Sequence, residues 1–406
     1  MGAVSPSVAR RALALLTVVN LLNYLDRYVL AALGESLARS PLHITDTEFG
    51  FLVSGFIIVY MVAAPWFGTL GDTGSRTNLE ALGVVLWSVA TGLGALAWGF
   101  ASLLVARALV GVGEAAYGTV APSLLADYFK PAVRGRVFAT FYAAIPIGSA
   151  LGYVVGGLAD VRFGWRGAFL IAGVPGVLLG LALRRLADPP RGVHDGAVVD
   201  RGGRRAWGAL ARNRPYVFTV LGYAAYTFAL GGMAAFLPKF LIRVRGLPEG
   251  QATVWSGLCL AATGFLGTAV GGVVADWLLR RTRQAYLWVS GVATLLAAPV
   301  GWIALVSPKP AVYWGAIAVA EFLLFTSTGP VNSAIVTFSA PDMRATAMAV
   351  SIFAIHILGD VPSPTVLGAL SDASSLAEAV RIIPFAIATG GLIWTWAAWR
   401  VPAPRG

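Results

Sequence analysis

The chain has 406 residues, of which 57% are hydrophobic and only 12% are charged, and its mean hydropathy is +0.75. A water-soluble domain carries about twice that charged fraction. The composition therefore excludes a soluble globular protein and predicts a polytopic helical membrane protein. The net charge of +11 does not indicate nucleic-acid binding, because the basic residues stand in short loops between apolar runs.

The N-terminal run and the single cysteine are consistent with this class. Arg10-Arg11 precedes an apolar run that resembles a signal peptide, but no small-residue cleavage site follows and Asp26-Arg27 interrupts the run. We therefore expect this run to be the first membrane span. Cys259 is the only cysteine, which excludes an intrachain disulfide.

Twelve apolar runs are long enough to cross the roughly 30 Å hydrocarbon core as helices. The predicted spans are 12–37, 47–70, 78–98, 100–127, 135–159, 167–186, 215–241, 250–278, 285–306, 311–338, 344–370 and 378–400. A polar segment rich in arginine separates the first six spans from the last six. We predict an N-terminal six-helix bundle over 1–186, a cytoplasmic linker over 187–214 and a C-terminal six-helix bundle over 215–406.

Basic residues are concentrated in alternate loops, which sets the predicted orientation. The richer set comprises the linker arginines together with Arg10, Arg11, Arg76, Lys130, Arg134, Arg136, Arg184, Arg185, Arg280, Arg281, Arg283 and Arg344. The positive-inside rule then places both termini and the linker in the cytoplasm. We expect a monomeric, multi-pass protein of a bacterial inner membrane or plasma membrane.

The stretch 104–126 carries an arginine and a glutamate inside an apolar helix. Arg107 and Glu114 are seven residues apart, close to two helical turns, so they share one face roughly 10 Å apart along the axis. Each costs about 2.5–3.5 kcal/mol at the centre of a membrane helix. Both are therefore expected to face protein or water. One interpretation is a structural ion pair, and the other is a pathway for a solute or a proton.

Three motifs recur in the same order in both halves. Gly-x3-Asp-x3-Arg follows the second and eighth spans, Pro-x2-Arg precedes the fifth and eleventh, and a glutamate precedes a proline in the fourth and tenth. The residues are Asp72, Arg76, Arg134, Glu114 and Pro122 in the first half, and Asp276, Arg280, Arg344, Glu321 and Pro330 in the second. The shared order indicates two repeats of six helices.

This pattern resembles the major facilitator superfamily of transporters, and four stretches resemble its spinster family of lysolipid and sphingolipid transporters. The four stretches begin at Asn20 (Asn-Leu-Leu-Asn-Tyr-Leu-Asp-Arg), Gly111 (Gly-Val-Gly-Glu-Ala-Ala-Tyr-Gly-Thr-Val-Ala-Pro), Phe141 (Phe-Tyr-Ala-Ala-Ile-Pro-Ile-Gly-Ser-Ala-Leu-Gly-Tyr) and His356 (His-Ile-Leu-Gly-Asp-Val-Pro-Ser-Pro). One departure is that Thr73 stands where the family pattern has a basic residue. The resemblance implies an all-α fold of twelve transmembrane helices in two pseudo-symmetric bundles, which transports by alternating access.

The charged residues of the first and fourth spans are the candidate site. Asp26 and Arg27 are adjacent and point about 100° apart, so each is expected to face a different neighbour. We predict that Arg27, Arg107, Glu114 and Tyr60 bind substrate, because a guanidinium fork suits phosphate or carboxylate. Asp26 and Glu114 are the predicted proton carriers, since apolar surroundings disfavour a carboxylate while a nearby arginine favours it. Alternatively, both arginines only neutralise the two acids.

The repeated loop motifs are candidate gates. By the resemblance, Asp72 and Asp276 would reach the N-termini of the eleventh and fifth helices, where an anion is favoured. The basic partners in this predicted latch are Arg76, Arg134, Arg280 and Arg344. Ordinary solvation of loop charges is the alternative interpretation.

A second polar group is predicted in the second half, at Glu321, His356 and Asp360. His356 and Asp360 lie four residues apart on one helix face. A histidine there either titrates near neutral pH or serves helix packing. No metal site is expected, because His43, His194 and His356 are scattered along the chain.

Glycines recur at every fourth position in the fifth span, from Gly148 through Gly152 to Gly156. Small residues at this spacing allow two helices to approach closely. Packing is the favoured role of these glycines, and a hinge in the helix is the alternative.

An enzyme is not expected, because Gly-x-Ser-x-Gly, His-Glu-x-x-His and Walker motifs are missing from the sequence. The repeats with central charges favour a transporter over a channel or a receptor. We predict a secondary transporter of an amphiphilic anionic lipid, such as a lysophospholipid or a sphingosine phosphate, coupled to protons and without a cofactor. Small organic anions such as sugar acids are the alternative substrate, because their carriers also resemble this chain around Asp26-Arg27 and Arg107. Membrane lipids are the other expected partners.

Overall fold

The structure is a computed structural model that describes residues 5–190, 193, 204–339 and 344–400. The regular structure among these residues is helical. The helices are α1 (Pro6–Ala32), α2 (Gly34–Arg39), α3 (Asp46–Thr73), α4 (Arg76–Gly94), α5 (Phe100–Tyr128), α6 (Pro131–Tyr142), α7 (Ala144–Leu183), α8 (Arg204–Arg212), α9 (Arg214–Arg243), α10 (Glu249–Leu279), α11 (Ala285–Val306), α12 (Pro310–Phe325), α13 (Thr328–Thr337), α14 (Arg344–Ile355), α15 (Pro362–Ala373), α16 (Leu376–Ala379) and α17 (Ile382–Arg400).

The helices form two compact units. The first comprises Met1–Val198 with Leu241–Leu258, and the second comprises Val199–Phe240 with Cys259–Gly406. In the first unit α1 packs on α7, α4 packs on both α5 and α7, and α3 packs on α5. In the second unit α11 packs on α12 and α17. The predicted boundaries at 186 and 215 stay predictions, because much of the segment between them lies outside the described residues.

Each predicted span has a helical counterpart. Ten helical segments of the described residues are long and apolar enough to cross a membrane. One of them, Arg136–Leu183, has 48 residues and covers both the fifth and the sixth predicted spans. Gly164 divides it with φ 70°, a left-handed conformation that glycine adopts without strain. The third predicted span, 78–98, corresponds to α4, whose first turns carry Arg76 and Glu80.

Helix starts follow local capping chemistry. Thr45 caps α3 by accepting a hydrogen bond from the Glu48 amide, while the Glu48 carboxylate accepts one from the Thr45 amide. Ser5 caps α1, and Pro6 follows it at the first helical position, where a missing amide hydrogen costs nothing. These contacts fix where the first two spans begin.

Four predicted spans are less continuous than expected. The first ends at Ala32 and is followed by the short helix α2, the tenth is divided at Thr326-Ser327, and the twelfth begins with the separate helix α16. The eleventh contains a π-helical turn, His356–Asp360, closed by a 3.0 Å bond from the Val361 amide to the His356 carbonyl. Pro362 then starts a new helix, because proline cannot donate to the preceding turn.

The glycine stripe of α7 lies against α1. A side-chain carbon added at Gly148 would meet the carbonyl oxygen of Leu21, and one added at Gly152 would meet that of Leu25. The predicted close packing at these glycines is confirmed. This close packing fixes the position of the residues that follow Leu25 in α1, and these residues carry the charges described below.

Gly152→Ala should lower the free energy of unfolding by about 1–3 kcal/mol, because the added carbon collides with backbone and cannot be relieved by a side-chain rotation. Gly315→Ala is the matched control, since no atom lies within 4 Å of that position. The control should gain up to about 1 kcal/mol from helix propensity. Thermal unfolding in detergent measures both, and equal melting temperatures for the two variants would contradict the packing argument.

Candidate functional site

An ion pair joins α1 to α5 inside the first unit. Arg27 Nε donates to Glu114 Oε2 over 2.7 Å. The Glu114 side chain has no exposed surface, whereas the Arg27 side chain is 26% exposed. The arginine therefore neutralises a buried acid and also presents part of its guanidinium at an accessible surface.

Aromatic rings surround this guanidinium. The Arg27 Cζ atom lies 5.0 Å from the Tyr24 ring centre, 5.0 Å from that of Phe56 and 5.2 Å from that of Tyr60. Rings at this distance stabilise a cation through their electron-rich faces. The predicted site residue Tyr60 is thus beside Arg27, and the charge lies in largely apolar surroundings.

In the second ion pair, between Asp26 and Arg107, both side chains are buried. Arg107 Nη1 lies 3.5 Å from Asp26 Oδ2, and the Thr91 hydroxyl donates to the same oxygen over 2.9 Å. The two side chains are 2% and 3% exposed. Asp26 and Arg27 therefore face different neighbours, as their adjacent positions predict. Arg107 is predicted to bind substrate, but in the structure its guanidinium is covered and neutralises Asp26, as in the alternative interpretation.

Two glycines place Glu114 within reach of Arg27. A side-chain carbon at Gly111 would lie 2.7 Å from the Phe56 carbonyl oxygen of α3, and one at Gly113 would lie 2.7 Å from the Trp87 amide nitrogen of α4. Helix α5 therefore lies close to both neighbours just before Glu114. Larger residues at these positions would force the helices apart and change the position of the acid.

Both acids of the site keep an oxygen without a partner. Among the described residues, Glu114 Oε1, Asp26 Oδ1 and Arg107 Nε are buried and make no hydrogen bond. A carboxyl oxygen of this kind is a position where a proton can reside. The arrangement therefore combines a partly exposed cation with two buried groups that are chemically able to take up protons.

The sequence also matches known proteins. The model of the Major Facilitator Superfamily matches residues 16–364. The sphingosine-1-phosphate transporter SPNS2 of Mus musculus is 33% identical over 415 residues, which cover 94% of this chain and 75% of that protein. The protein spinster of Drosophila melanogaster is 32% identical over 370 residues, which cover 88% of this chain and 61% of that protein. The chain belongs to the spinster family. It is a membrane transporter of the major facilitator superfamily, and the expectation that it is not an enzyme is confirmed.

Solved structures share the fold of this spinster protein. The crystal structure of a bacterial homolog of the human lysosomal transporter spinster has a TM-score of 0.86 at 22% identity, covering 98% of this chain and 96% of that one. A D-xylose-proton symporter has a TM-score of 0.75 at 16% identity, with 96% and 97% covered. The predicted fold of twelve helices in two bundles is confirmed.

Arg76 of the first loop motif is buried and not free in solution. Its guanidinium binds the carboxylates of Asp127 and Asp188, the latter over 2.9 Å from Nε, and its Nη2 donates to the Pro189 carbonyl over 2.5 Å. Its backbone amide also donates to Asp188, over 2.8 Å. The motif arginine therefore ties the start of α4 to the end of α5 and to the segment that follows α7.

The other predicted gate residues give less information. The side chains of Asp72, Arg134 and Arg344 lie outside the part of the chain that the structure describes. Asp276 and Arg280 are exposed on the second unit. The predicted latch across the cytoplasmic side stays a prediction.

The second polar group divides into two separate contacts in the second unit. The Thr263 hydroxyl donates to Glu321 over 3.0 Å. His356 Nδ1 lies 2.9 Å from both carboxylate oxygens of Asp360, on the π-helical turn. π-turns occur often at functional sites, and a role for these residues remains a prediction.

Sequence reasoning missed three groups that complete these contacts. Thr91 supports Asp26, and Asp127 and Asp188 hold Arg76. Asp127 could have been identified from the sequence, because it is an acid at the end of an apolar run. Thr91 could not have been identified, because threonines on helices often bond only to their own backbone.

Arg107→Met should lower the free energy of unfolding by roughly 3–5 kcal/mol, because it leaves Asp26 buried without its cation. Adding Asp26→Asn should restore most of that loss, since the uncompensated charge is then removed. Thermal unfolding of the single and double variants gives the coupling between the two residues. Additive losses would contradict a stabilising pair.

Proposed function

We propose that this spinster-family transporter moves an amphiphilic anionic lipid, of the lysophospholipid or sphingosine phosphate class, by alternating access coupled to protons. The observation that carries the proposal is Arg27, a partly exposed guanidinium among three aromatic rings and paired with a fully buried acid. Relatives named sphingosine-1-phosphate transporters support the lipid class.

The head group would bind at Arg27. A guanidinium offers several N–H donors in one plane, a geometry that matches two oxygens of a phosphate or carboxylate. Tyr24, Phe56 and Tyr60 supply apolar surface around that charge. An anion with an apolar body satisfies both features, whereas a fully hydrophilic anion would use only the charge.

Proton coupling would follow from competition for Arg27. An arriving anion shares or takes the guanidinium from Glu114, whose carboxylate then loses its counter-charge inside a buried site. The ionised form becomes less favourable, and a proton binds to Glu114. Release of the substrate returns Arg27 to Glu114 and favours loss of the proton. Asp26, whose Oδ1 atom is buried without a hydrogen-bond partner among the described residues, would be the second carrier.

The alternative is a proton-coupled transporter of small organic anions such as sugar acids. The guanidinium of Arg27 also favours this alternative, because a carboxylate fits that site as a phosphate does. The transporter would lie in a bacterial inner membrane or plasma membrane as a monomer, with both termini and the linker in the cytoplasm. The excess of basic residues in alternate loops supports this orientation.

Uptake into liposomes tests the proposed function. A labelled lysophospholipid and a labelled sugar acid are compared, each with and without an imposed pH gradient. Saturable, gradient-dependent lipid movement supports the proposal. Movement of the sugar acid alone would establish the organic-anion alternative.

Arg27→Ala should weaken binding of an anionic lysolipid by about tenfold to a hundredfold, the loss expected for a charge-assisted hydrogen bond. Binding of a neutral analogue with the same chain should change little. Arg184→Ala, which removes an exposed arginine, is the control. Equal losses for both ligands would assign Arg27 a structural role.

Glu114→Gln should make transport independent of the pH gradient while substrate binding remains measurable, because an amide keeps the shape of the acid but takes up no proton. Glu378→Gln is the control, since that acid is exposed and bonds to Arg381. Gradient-driven transport that survives Glu114→Gln unchanged would exclude this residue as the carrier.

A further inference from the structure

A buried acid outside the candidate site lies in α4. Glu80 has no exposed surface, and neither of its carboxyl oxygens has a hydrogen-bond partner among the described residues. It stands one helical turn after Arg76, and its neighbours Ala81 and Val84 belong to an apolar cluster. A carboxyl group in such surroundings is costly to keep ionised unless a donor or a cation reaches it.

The cation nearest in sequence, Arg76, makes its hydrogen bonds to other groups. Arg76 gives its backbone amide and Nε to Asp188, its Nη1 to Asp127 and its Nη2 to the Pro189 carbonyl. The guanidinium therefore binds three groups, and Glu80 is not one of them.

Two phenols of the same apolar cluster, Tyr117 and Tyr128, also make their hydrogen bonds elsewhere. The Tyr117 hydroxyl donates to the Leu16 carbonyl over 2.5 Å, and the Tyr128 hydroxyl donates to the Ala187 carbonyl. A hydroxyl has one hydrogen to donate, so neither phenol can also serve Glu80. Among the described residues, none of these groups donates to a carboxyl oxygen of Glu80.

We propose that Glu80 is a proton-binding site whose occupancy is linked to the anchoring of residues 187–189 on Arg76. While Asp188 and Pro189 hold Arg76, Glu80 carries a proton and is neutral. This is the state that the structure favours, because a charged Glu80 would have no hydrogen-bond donor.

Release of the segment would exchange the partners of Arg76. When Asp188 and Pro189 leave, Nε and Nη2 of Arg76 are free, and Glu80 is the i+4 neighbour on the same helix face. Arg76 then pairs with Glu80, whose proton passes to water, while Asp127 keeps its bond and Asp188 becomes solvated. One proton is released for each detachment. Arg184 and Arg185, at the end of α7, are exposed and their charge is largely screened.

A spin label tests this linkage. The label is placed at Ala187→Cys in a Cys259→Ser background, because the Ala187 side chain is exposed and only its carbonyl is used by Tyr128. The spectrum then reports the ratio of mobile to anchored label between about pH 5 and pH 9. With one proton released per detachment, that ratio should rise by up to about tenfold per pH unit.

Three variants separate the proposal from a purely structural acid. Glu80→Gln and Glu80→Met imitate the neutral group, so the label should stay anchored with no pH dependence. Asp188→Asn removes the anchor, so the mobile fraction should be high at every pH. The proposal is overturned by a flat ratio in the parent protein, by an unchanged titration in both Glu80 variants, or by an unchanged ratio in Asp188→Asn. Using two Glu80 variants guards against one that fails to fold.

Discussion

Charge burial inside apolar helices is the constraint on which the first unit depends. Asp26, Arg27, Arg107 and Glu114 would each be costly alone within a membrane, and pairing offsets that cost only when the partners are held in place. Glycines keep the charged partners in place, because they let the helices pack closely. Gly111 and Gly113 bring α5 close to α3 and α4, and the glycines of α7 do the same for α1. Packing of small residues and pairing of charges are therefore parts of one arrangement.

The two pairs differ in a way that separates their roles. The side chains of Asp26 and Arg107 are both buried, so their ion pair has a structural role inside the unit. Asp26 also has a carboxyl oxygen that can accept a proton. Arg27 is exposed over about a quarter of its side chain while its partner is completely buried. Of these two pairs, Arg27–Glu114 joins the surface to the interior, and an event at the surface can reach a buried acid through it.

Much of this organisation could be predicted from the sequence, and the failures have physical causes. The twelve spans follow from hydropathy, and the different directions of Asp26 and Arg27 follow from the helical period. Which arginine meets which acid does not follow, because it depends on how α1 and α5 are rotated against each other. The breaks at Thr326-Ser327 and after Ala32 were not predicted either, since an apolar run has the same hydropathy whether it is straight or broken. The partners of Arg76 could not be predicted, because Asp127 and Asp188 lie 51 and 112 residues further along the chain. Its role at a gate stays a prediction.

The π-helical turn at His356–Asp360 has a consequence for chain length. Such a turn accommodates one residue more than a regular helix within the same rise. Removing one residue from this turn would therefore leave the helices on either side facing nearly the same way. Removing one residue from a regular stretch of the same helix would instead rotate everything after it by about 100° and turn the inward faces of α15 elsewhere. A one-residue deletion should thus be tolerated better at the π-helical turn than within the regular helices on either side of it.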